Sequence, residues 1–149
     1  MAHTHAQNLL AICIGMINNF IKDENMRMAR KTFERIVREE NNRLMKSLSP
    51  DLRALATSVT IIIADRPTRR ESGRPKGDDL LGLYEGISLP ERHVGDMDAV
   101  ADQITLFRIP LLDACGSIDE LREEIRITLI HELGHYFGFE EDELLKHGL

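Results

Sequence analysis

The sequence between Ser117 and Gly138 has the signals of one long helix with both ends marked, and no other element constrains the fold as strongly. Ser117-Ile-Asp-Glu120 matches a capping box, in which the serine hydroxyl and the glutamate carboxylate each accept a hydrogen bond from an amide of the first turn. Apolar residues then recur at helical spacing; they are Leu121, Ile125, Leu129 and Leu133. Gly138 is a typical C-terminal stop.

The C-terminal end of this helix contains His131-Glu132-Leu-Gly-His135, an H-E-x-x-H pattern. Residues four apart on a helix lie on one face about 6 Å apart, so both imidazoles can bind one Zn²⁺ at about 2.1 Å. Glu132 projects beside the metal, where its carboxylate can take a proton from the water that zinc polarises. The pattern predicts metal ligands at His131 and His135 and a catalytic base at Glu132.

A catalytic zinc usually has three protein ligands, so the motif requires one more. Gly138 lets the chain leave the helix sharply, and three residues later Glu141 can turn back to the metal. The spacing H-E-x-x-H-x-x-G-x-x-E is that of the metzincin motif with Glu in place of the final His. We therefore expect Glu141 to be the third ligand; the alternatives are Asp142, Glu143 and His147.

A simpler interpretation is that His131 and His135 are partly exposed helix residues and Glu132 a solubilising charge. In a chain with six histidines, H-E-x-x-H should arise by chance in about one of fifty sequences. Its position at the end of a capped helix, followed by a glycine stop and an acidic residue, favours the metal site. Of the other histidines, His3 and His5 lie near the N-terminus, His93 lies in a predicted loop, and His147 is one of the alternatives for the third ligand.

The first part of the chain predicts a helix followed by a buried strand. Apolar residues at helical spacing mark a helix over residues 31–48. Residues 58–66 are β-branched and continuous, which is typical of a strand buried on both faces. Residues 67–79 are predicted to be an exposed loop, because the basic residues there are interrupted by acidic ones, proline and glycine.

Two more strands are predicted between this loop and the C-terminal helix. Residues 80–89 indicate a strand that is broken or bulged at Gly82 or Gly86. Residues 103–109 alternate between apolar and polar side chains, as in a strand. Pro110 follows and indicates that this strand lies at a sheet edge or stops there.

The length of 149 residues is that of one domain, which can bury about 70% of its unfolded surface in one core. Residues 1–30 differ from the rest, and we interpret them as an N-terminal extension before a domain at 31–149. Their apolar run, residues 9–21, is too short to span a bilayer. A helix laid on the domain and a membrane-surface anchor are the two alternatives for it.

Charge and cysteine content exclude several functional classes. The formal net charge is −6, and the chain has no basic footprint for phosphate, so we do not expect nucleic acid as a partner. Cys13 and Cys115 are the two cysteines and form no CxxC pair. They indicate neither a disulfide framework nor a thiolate zinc site, and they fit a reducing cytosol. We therefore expect a cytoplasmic protein without a membrane span.

Four stretches of the sequence resemble the bacterial minimal zincin-like metallopeptidase family; they are residues 33–40, 79–92, 102–112 and 120–144. The similarity covers about residues 31–147. The resemblance implies an α+β fold, a minimal zincin-like domain with a small mixed sheet, a packing helix and a C-terminal active-site helix. It also implies an edge strand that holds an extended peptide by strand addition, for which residues 103–109 are the candidate.

The predicted function is zinc-dependent peptide hydrolysis. His131, His135 and Glu141 are expected to hold Zn²⁺, and Glu132 to pass the water proton to the leaving amine of a peptide or protein substrate. The family that the chain resembles usually carries Asp at the position of Glu141.

Two alternatives come from other classes of protein. One is a metal-binding or interaction module without catalysis, because little chain follows Glu141. The other is a zinc hydrolase that acts on a bond other than a peptide. If the protein is a peptidase, a second group must stabilise the oxyanion beside zinc, and Tyr136, Tyr84 and Arg108 are the candidates.

Overall fold

The computed structural model describes residues 28–68, 71, 80–93, 101–140 and 142–143. Its α-helices and strands, in chain order, are α1 (Arg30–Ser47), α2 (Pro50–Ala56), β1 (Thr60–Ala64), β2 (Gly82–Glu85), β3 (Gln103–Phe107), α3 (Arg108–Ala114) and α4 (Ile118–Phe137). A short 3-10 helix, Leu89–Glu91, lies between β2 and β3. The expected α+β fold with a small mixed sheet, a packing helix and a C-terminal motif helix is confirmed.

The three strands form one mixed sheet in the order β1-β3-β2. β1 is parallel to β3, with Thr60 opposite Gln103. β2 is antiparallel to β3, with Gly82 opposite Leu106. β3 is therefore the central strand of the described sheet, and the expectation that residues 103–109 form an edge strand is wrong.

β3 ends earlier than the alternation of its sequence suggests. The strand stops at Phe107, and the chain enters α3 directly at Arg108. Pro110 lies in the first turn of α3, where a helix tolerates proline because amides of the first turn have no intrahelical acceptor. The proline therefore marks the start of a helix, and it says nothing about which strand lies at the edge.

β1 is shorter and more exposed than the sequence predicts. It covers Thr60–Ala64 of the expected residues 58–66. Ile61 and Ile63 pack against the core, whereas the side chain of Ile62 is 39% exposed. The expectation of a strand buried on both faces is therefore wrong. β1 lies at one end of the described sheet, with β3 as its neighbour.

α1 packs on α4 and confirms the helix predicted at residues 31–48. Its buried apolar side chains are Phe33, Ile36, Val37 and Leu44. They join one apolar core with the buried residues of β3, α3 and α4. Glu40 is buried in the same interface, and its carboxylate accepts a hydrogen bond from Arg122 of α4 at 2.5 Å.

α2 is a helix that the sequence analysis did not predict. Ser49 and Pro50 follow the end of α1 and begin α2. The Ser49 hydroxyl accepts a hydrogen bond from the Leu52 amide at 3.4 Å, and Pro50 is the first helical residue. Serine at the N-cap followed by proline is a start signal as well as a stop signal.

The predicted N-terminal extension is described only from Met28 onward. Met28 packs against the core, and Arg30 already belongs to α1. The apolar run at residues 9–21 and most of the loop predicted at 67–79 lie outside the described residues, so these predictions remain open. No helix in the described part of the chain has both the length and the apolar character needed to cross a membrane.

Candidate metal centre

Both ends of α4 have the capping interactions that the sequence predicts. The Ser117 hydroxyl accepts a hydrogen bond from the Glu120 amide at 3.2 Å, and the Glu120 carboxylate accepts one from the Gly116 amide at 2.7 Å. At the other end, Gly138 has φ 94° and its amide donates to the His135 carbonyl at 3.0 Å. This left-handed conformation strongly favours glycine. The predicted end of the helix at Gly138 is confirmed.

His131 and His135 lie on one face of α4, with their Nε2 atoms 3.2 Å apart. Their ring planes are inclined by 80°. A tetrahedral zinc ion that binds two nitrogen atoms at about 2.0–2.1 Å holds those atoms about 3.3–3.4 Å apart. The two side chains therefore have close to the separation that a shared zinc ion requires.

The turn after α4 orients the His135 ring. Its Nδ1 atom lies 3.2 Å from the Phe139 carbonyl oxygen. Because a carbonyl can only accept, Nδ1 must carry the proton, and the Nε2 lone pair then faces His131. Metal-binding histidines typically donate their second ring N–H to a carbonyl or carboxylate in this way. Phe139 was missed at the level of sequence, because the contact depends on the path of the chain after Gly138.

Glu132 lies beside the histidines in sequence but contacts the sheet. Its side chain is buried, and Oε2 accepts a hydrogen bond from the backbone amide of Tyr84 in β2 at 2.8 Å. An amide donor stabilises the ionised form of a carboxylate and fixes its orientation. This contact, between residues 48 positions apart, was also missed by the sequence analysis.

The structure describes two of the four candidates for the third ligand. Asp142 and Glu143 are described and exposed. Among the described residues, no group of three or more histidine, cysteine, aspartate or glutamate side chains could hold a metal ion. Glu141 and His147 lie outside the described residues. The histidine pair fits zinc, and Glu141 as the third ligand stays a prediction.

The segment from β2 to Arg92 lies against the C-terminal half of α4. The rings of Tyr84 and Tyr136 meet edge to face, with centroids 6.0 Å apart. The Tyr84 hydroxyl donates to Asp102 at 2.8 Å, and Arg92 donates to the same carboxylate at 2.5 Å. Burial and the neighbouring Asp102 raise the pKa of Tyr84, so its hydroxyl keeps its proton and remains a donor.

The three side chains considered as second oxyanion donors are engaged elsewhere in the fold. The Tyr136 hydroxyl donates to the Leu55 carbonyl at 3.0 Å. Arg108 donates to Asp65 at 2.8 Å, and the Tyr84 hydroxyl is held by Asp102. These contacts are structural, and none of them favours a role in oxyanion stabilisation.

A family model described as zincin-like metallopeptidase matches residues 56–149. This range is more than half of the chain and includes all three described strands, the histidine pair and Glu132. The chain belongs to the zincin-like metallopeptidase family. The resemblance noted in the sequence is thereby confirmed. No curated protein matches the chain. Membership of the zincin-like family suggests a zinc-dependent hydrolase.

Proposed function

We propose that the protein is a zinc-dependent peptidase in which His131, His135 and Glu141 hold the ion and Glu132 is the catalytic base. The observation that carries the proposal is the 3.2 Å separation of the two histidine Nε2 atoms. Two histidines that merely solubilise a helix have no need of this convergence. The adjacent Glu132 is buried, and a carboxylate is seldom buried without a specific role or partner.

The chain's own residues prepare the ligands. The Phe139 carbonyl holds the proton on Nδ1 of His135, so that Nε2 can donate its lone pair. The left-handed turn at Gly138 reverses the chain three residues before Glu141, which supports Glu141 as the third ligand. Zinc at such a site supplies a Lewis acid that polarises a carbonyl and lowers the pKa of water to about 7.

Glu132 acts on protons in this proposal. Its carboxylate accepts a proton from the attacking water and returns it to the nitrogen of the leaving amine. A base that is already held close to the reactive geometry loses less conformational freedom in the reaction. The Tyr84 amide on Oε2 and the burial of the side chain provide that restraint.

β2 replaces β3 as the candidate strand for peptide binding. The Phe107 amide donates to the Leu81 carbonyl at 2.9 Å. Hydrogen-bonded and non-hydrogen-bonded pairs alternate in an antiparallel ladder, so the backbone groups of Gly82 and Tyr84 point away from β3. An extended peptide can pair along this edge through Gly82 and the Tyr84 carbonyl, because the Tyr84 amide is hydrogen-bonded to Glu132. The Tyr84 amide already brings Glu132 to the same edge.

The decisive experiment combines metal analysis with cleavage of fluorescence-quenched casein and a peptide library. His131→Ala and His135→Ala should each abolish stoichiometric zinc binding, because each removes a ligand. Glu132→Gln should keep zinc and lose hydrolysis, because an amide cannot accept the water proton. Gln has nearly the same size and shape as Glu, so the Glu132→Gln variant should fold like the wild type.

Three results would contradict the proposal. Full zinc occupancy in His135→Ala would show that the metal binds elsewhere. Loss of zinc in Glu132→Gln would make Glu132 a ligand. Stoichiometric zinc in the wild type without cleavage of casein or of any library peptide would favour a metal-binding module or a hydrolase for another bond.

A further inference from the structure

Gly82, the first residue of β2, lies directly against α4. A Cβ atom placed on Gly82 would lie 2.6 Å from Cγ2 of Thr128 and 3.2 Å from Cγ of Glu132. The first distance is far inside van der Waals contact. Thr128 is buried, and its χ1 is restricted because the side chain is β-branched and lies in a helix. The strand can approach α4 this closely only because residue 82 has no side chain.

This close approach determines whether Glu132 can reach β2. The Tyr84 amide, two residues after Gly82, donates to Oε2 at 2.8 Å. A displacement of the strand by about 0.5–1 Å at Gly82 would lengthen this hydrogen bond to about 3.3–3.8 Å, beyond the ordinary range. Gly82 and Tyr84 are two residues apart in β2 and therefore lie on the same face of the strand, so a movement of the backbone at Gly82 also moves the Tyr84 amide.

We propose that Gly82 is a positioning residue for Glu132: by leaving space for Thr128, it brings the Tyr84 amide onto the Glu132 carboxylate and sets the orientation of the base. The proposal rests on the proposed function of Glu132. Gly82 touches neither substrate nor metal in it and acts through the backbone of β2. In this proposal the hydrogen bond from the Tyr84 amide holds Glu132 in its reactive orientation and does not keep it away from the substrate.

Gly82→Ala tests this proposal, with Thr128→Ser as the compensating change because serine lacks the Cγ2 atom that the new methyl group would meet. With fluorescence-quenched casein, Gly82→Ala should lower kcat roughly ten- to hundredfold, since small misplacements of catalytic groups have effects of this size. KM and zinc affinity should change by less than about threefold, because substrate and metal contacts remain. The Gly82→Ala/Thr128→Ser double variant should regain most of the lost kcat.

Gly116→Ala is the matched control. A Cβ there would meet only the Glu120 carboxylate, at an ordinary 3.4 Å. Its kcat should equal that of the wild type. Thr128→Ser alone should also stay within about threefold of the wild type, because the hydroxyl is kept and only a methyl group is lost.

A second measurement does not depend on activity. Hydrogen exchange of the metal-free protein, followed by NMR, should show the Tyr84 amide protected in the wild type. Exchange at Tyr84 should accelerate at least about tenfold in Gly82→Ala and in Glu132→Ala, because the hydrogen bond is lost. The Leu83 amide points to Thr105 of β3 and should stay protected, which shows that the sheet is intact. The double variant should restore protection of Tyr84.

The possible results separate this inference from the proposed function. A normal or raised kcat in Gly82→Ala, while Glu132→Gln is inactive, would overturn the positioning role alone. Failure of Thr128→Ser to restore both kcat and exchange protection would show that the clash is not the cause. An active Glu132→Gln enzyme would remove Glu132 as the base, and the positioning role would fall with the proposed function. If Gly82→Ala does not fold, the double variant still has to fold and show near-normal kcat and a protected Tyr84 amide.

Discussion

The two halves of α4 are held in place by different kinds of contact. The N-terminal half packs on α1 through side chains: Arg122 donates to Glu39 at 2.6 Å and to Glu40 at 2.5 Å, above buried Leu121 and Ile125. The C-terminal half also has buried side chains, such as Tyr136, but it meets β2 and the 3-10 helix at two glycines that allow close packing. Gly82 lies on Thr128 and Glu132, and Gly138 lies on Pro90.

This difference separates stability from chemistry along one helix. We expect substitutions of side chains on the N-terminal half to leave the backbone at His131 and His135 in place. We expect less tolerance in the C-terminal half, since its glycine contacts and its candidate catalytic groups occupy the same stretch of about three turns. Substitutions in the two halves should therefore differ in what they change, and the following predictions test this.

The largest effect is expected at Glu141. Glu141→Ala should weaken zinc binding by at least about a hundredfold, because a ligand and its negative charge are lost together. Glu141→Asp should keep much of the affinity, since the resembling family usually has Asp there. Zinc titration against a competing chelator measures both. Asp142→Ala and His147→Ala are the controls and should bind zinc almost normally; release of zinc by either, with retention in Glu141→Ala, would reassign the third ligand.

Glu40 tests the N-terminal half. Glu40→Ala should lower the free energy of unfolding by about 2 kcal/mol, because it removes a buried carboxylate and leaves Arg122 with fewer acceptors. Denaturant unfolding of the metal-free protein measures this loss. Glu34→Ala, which removes an exposed pair with Arg30 in the same helix, should cost less than about 0.5 kcal/mol. Zinc affinity of folded Glu40→Ala should be unchanged, and a clear loss would mean that the two halves are coupled.

Substitution of Gly138 should lower both the stability of the protein and its affinity for zinc. Gly138→Ala should cost about 1 kcal/mol or more, since alanine is strained at φ 94° and its methyl group would overlap Pro90. Zinc affinity should also fall, by about tenfold, because the Phe139 carbonyl that orients His135 follows this turn. Calorimetry with and without zinc measures the two effects. Equal melting temperatures and affinities for Gly138→Ala and wild type would show that the turn tolerates a side chain.

The smallest effect is expected at Cys115, which lies just before α4 and is buried. Burial, with Glu124 and Glu120 nearby, raises the pKa of its thiol from 9.0 to about 11. In a Cys13→Ser variant at pH 8, Cys115 should not react with a thiol reagent until the protein is unfolded in guanidinium. The raised pKa also gives Cys115 an effect on the free energy of unfolding. Its thiol has no effect below about pH 9 and lowers stability between about pH 9 and pH 11, because the thiol loses its proton first in the unfolded state. Rapid labelling of the native protein would show that the N-terminal end of α4 is loosely packed.

The features that could be predicted from sequence are those determined by neighbouring residues. The start of α4 at Ser117, its end at Gly138 and the convergence of His131 and His135 follow from signals within one turn of the chain. Strand order does not follow from such signals. Residues 103–109 were expected at a sheet edge because Pro110 follows them and because of the family resemblance, yet β3 lies between β1 and β2, since pairing depends on segments far apart in sequence.

The contact between Glu132 and β2 shows the same limit. A backbone amide leaves no mark in the sequence, so Tyr84 could not be identified as a partner of Glu132. Gly82 was noticed, but only as a possible break or bulge in the strand. A glycine inside a strand also indicates close approach of another element, and that was the available signal. The helix packed on it could be identified only from the fold.

The Glu132–Tyr84 hydrogen bond has a further consequence for how molecules of this protein meet one another. A strand at the end of a sheet is a template on which a second copy can assemble, and proteins discourage this with charged side chains at the edge. Glu132 occupies a donor near the middle of the four-residue strand β2 and brings a negative charge to it. If a second copy of β2 approached this edge, the Glu132 carboxylates of the two copies would come close together. The Tyr84 amides would also be missing as donors from the hydrogen-bond ladder between the copies. A short peptide strand needs fewer of these hydrogen bonds, so we expect the contact proposed to orient the base also to disfavour self-association along β2.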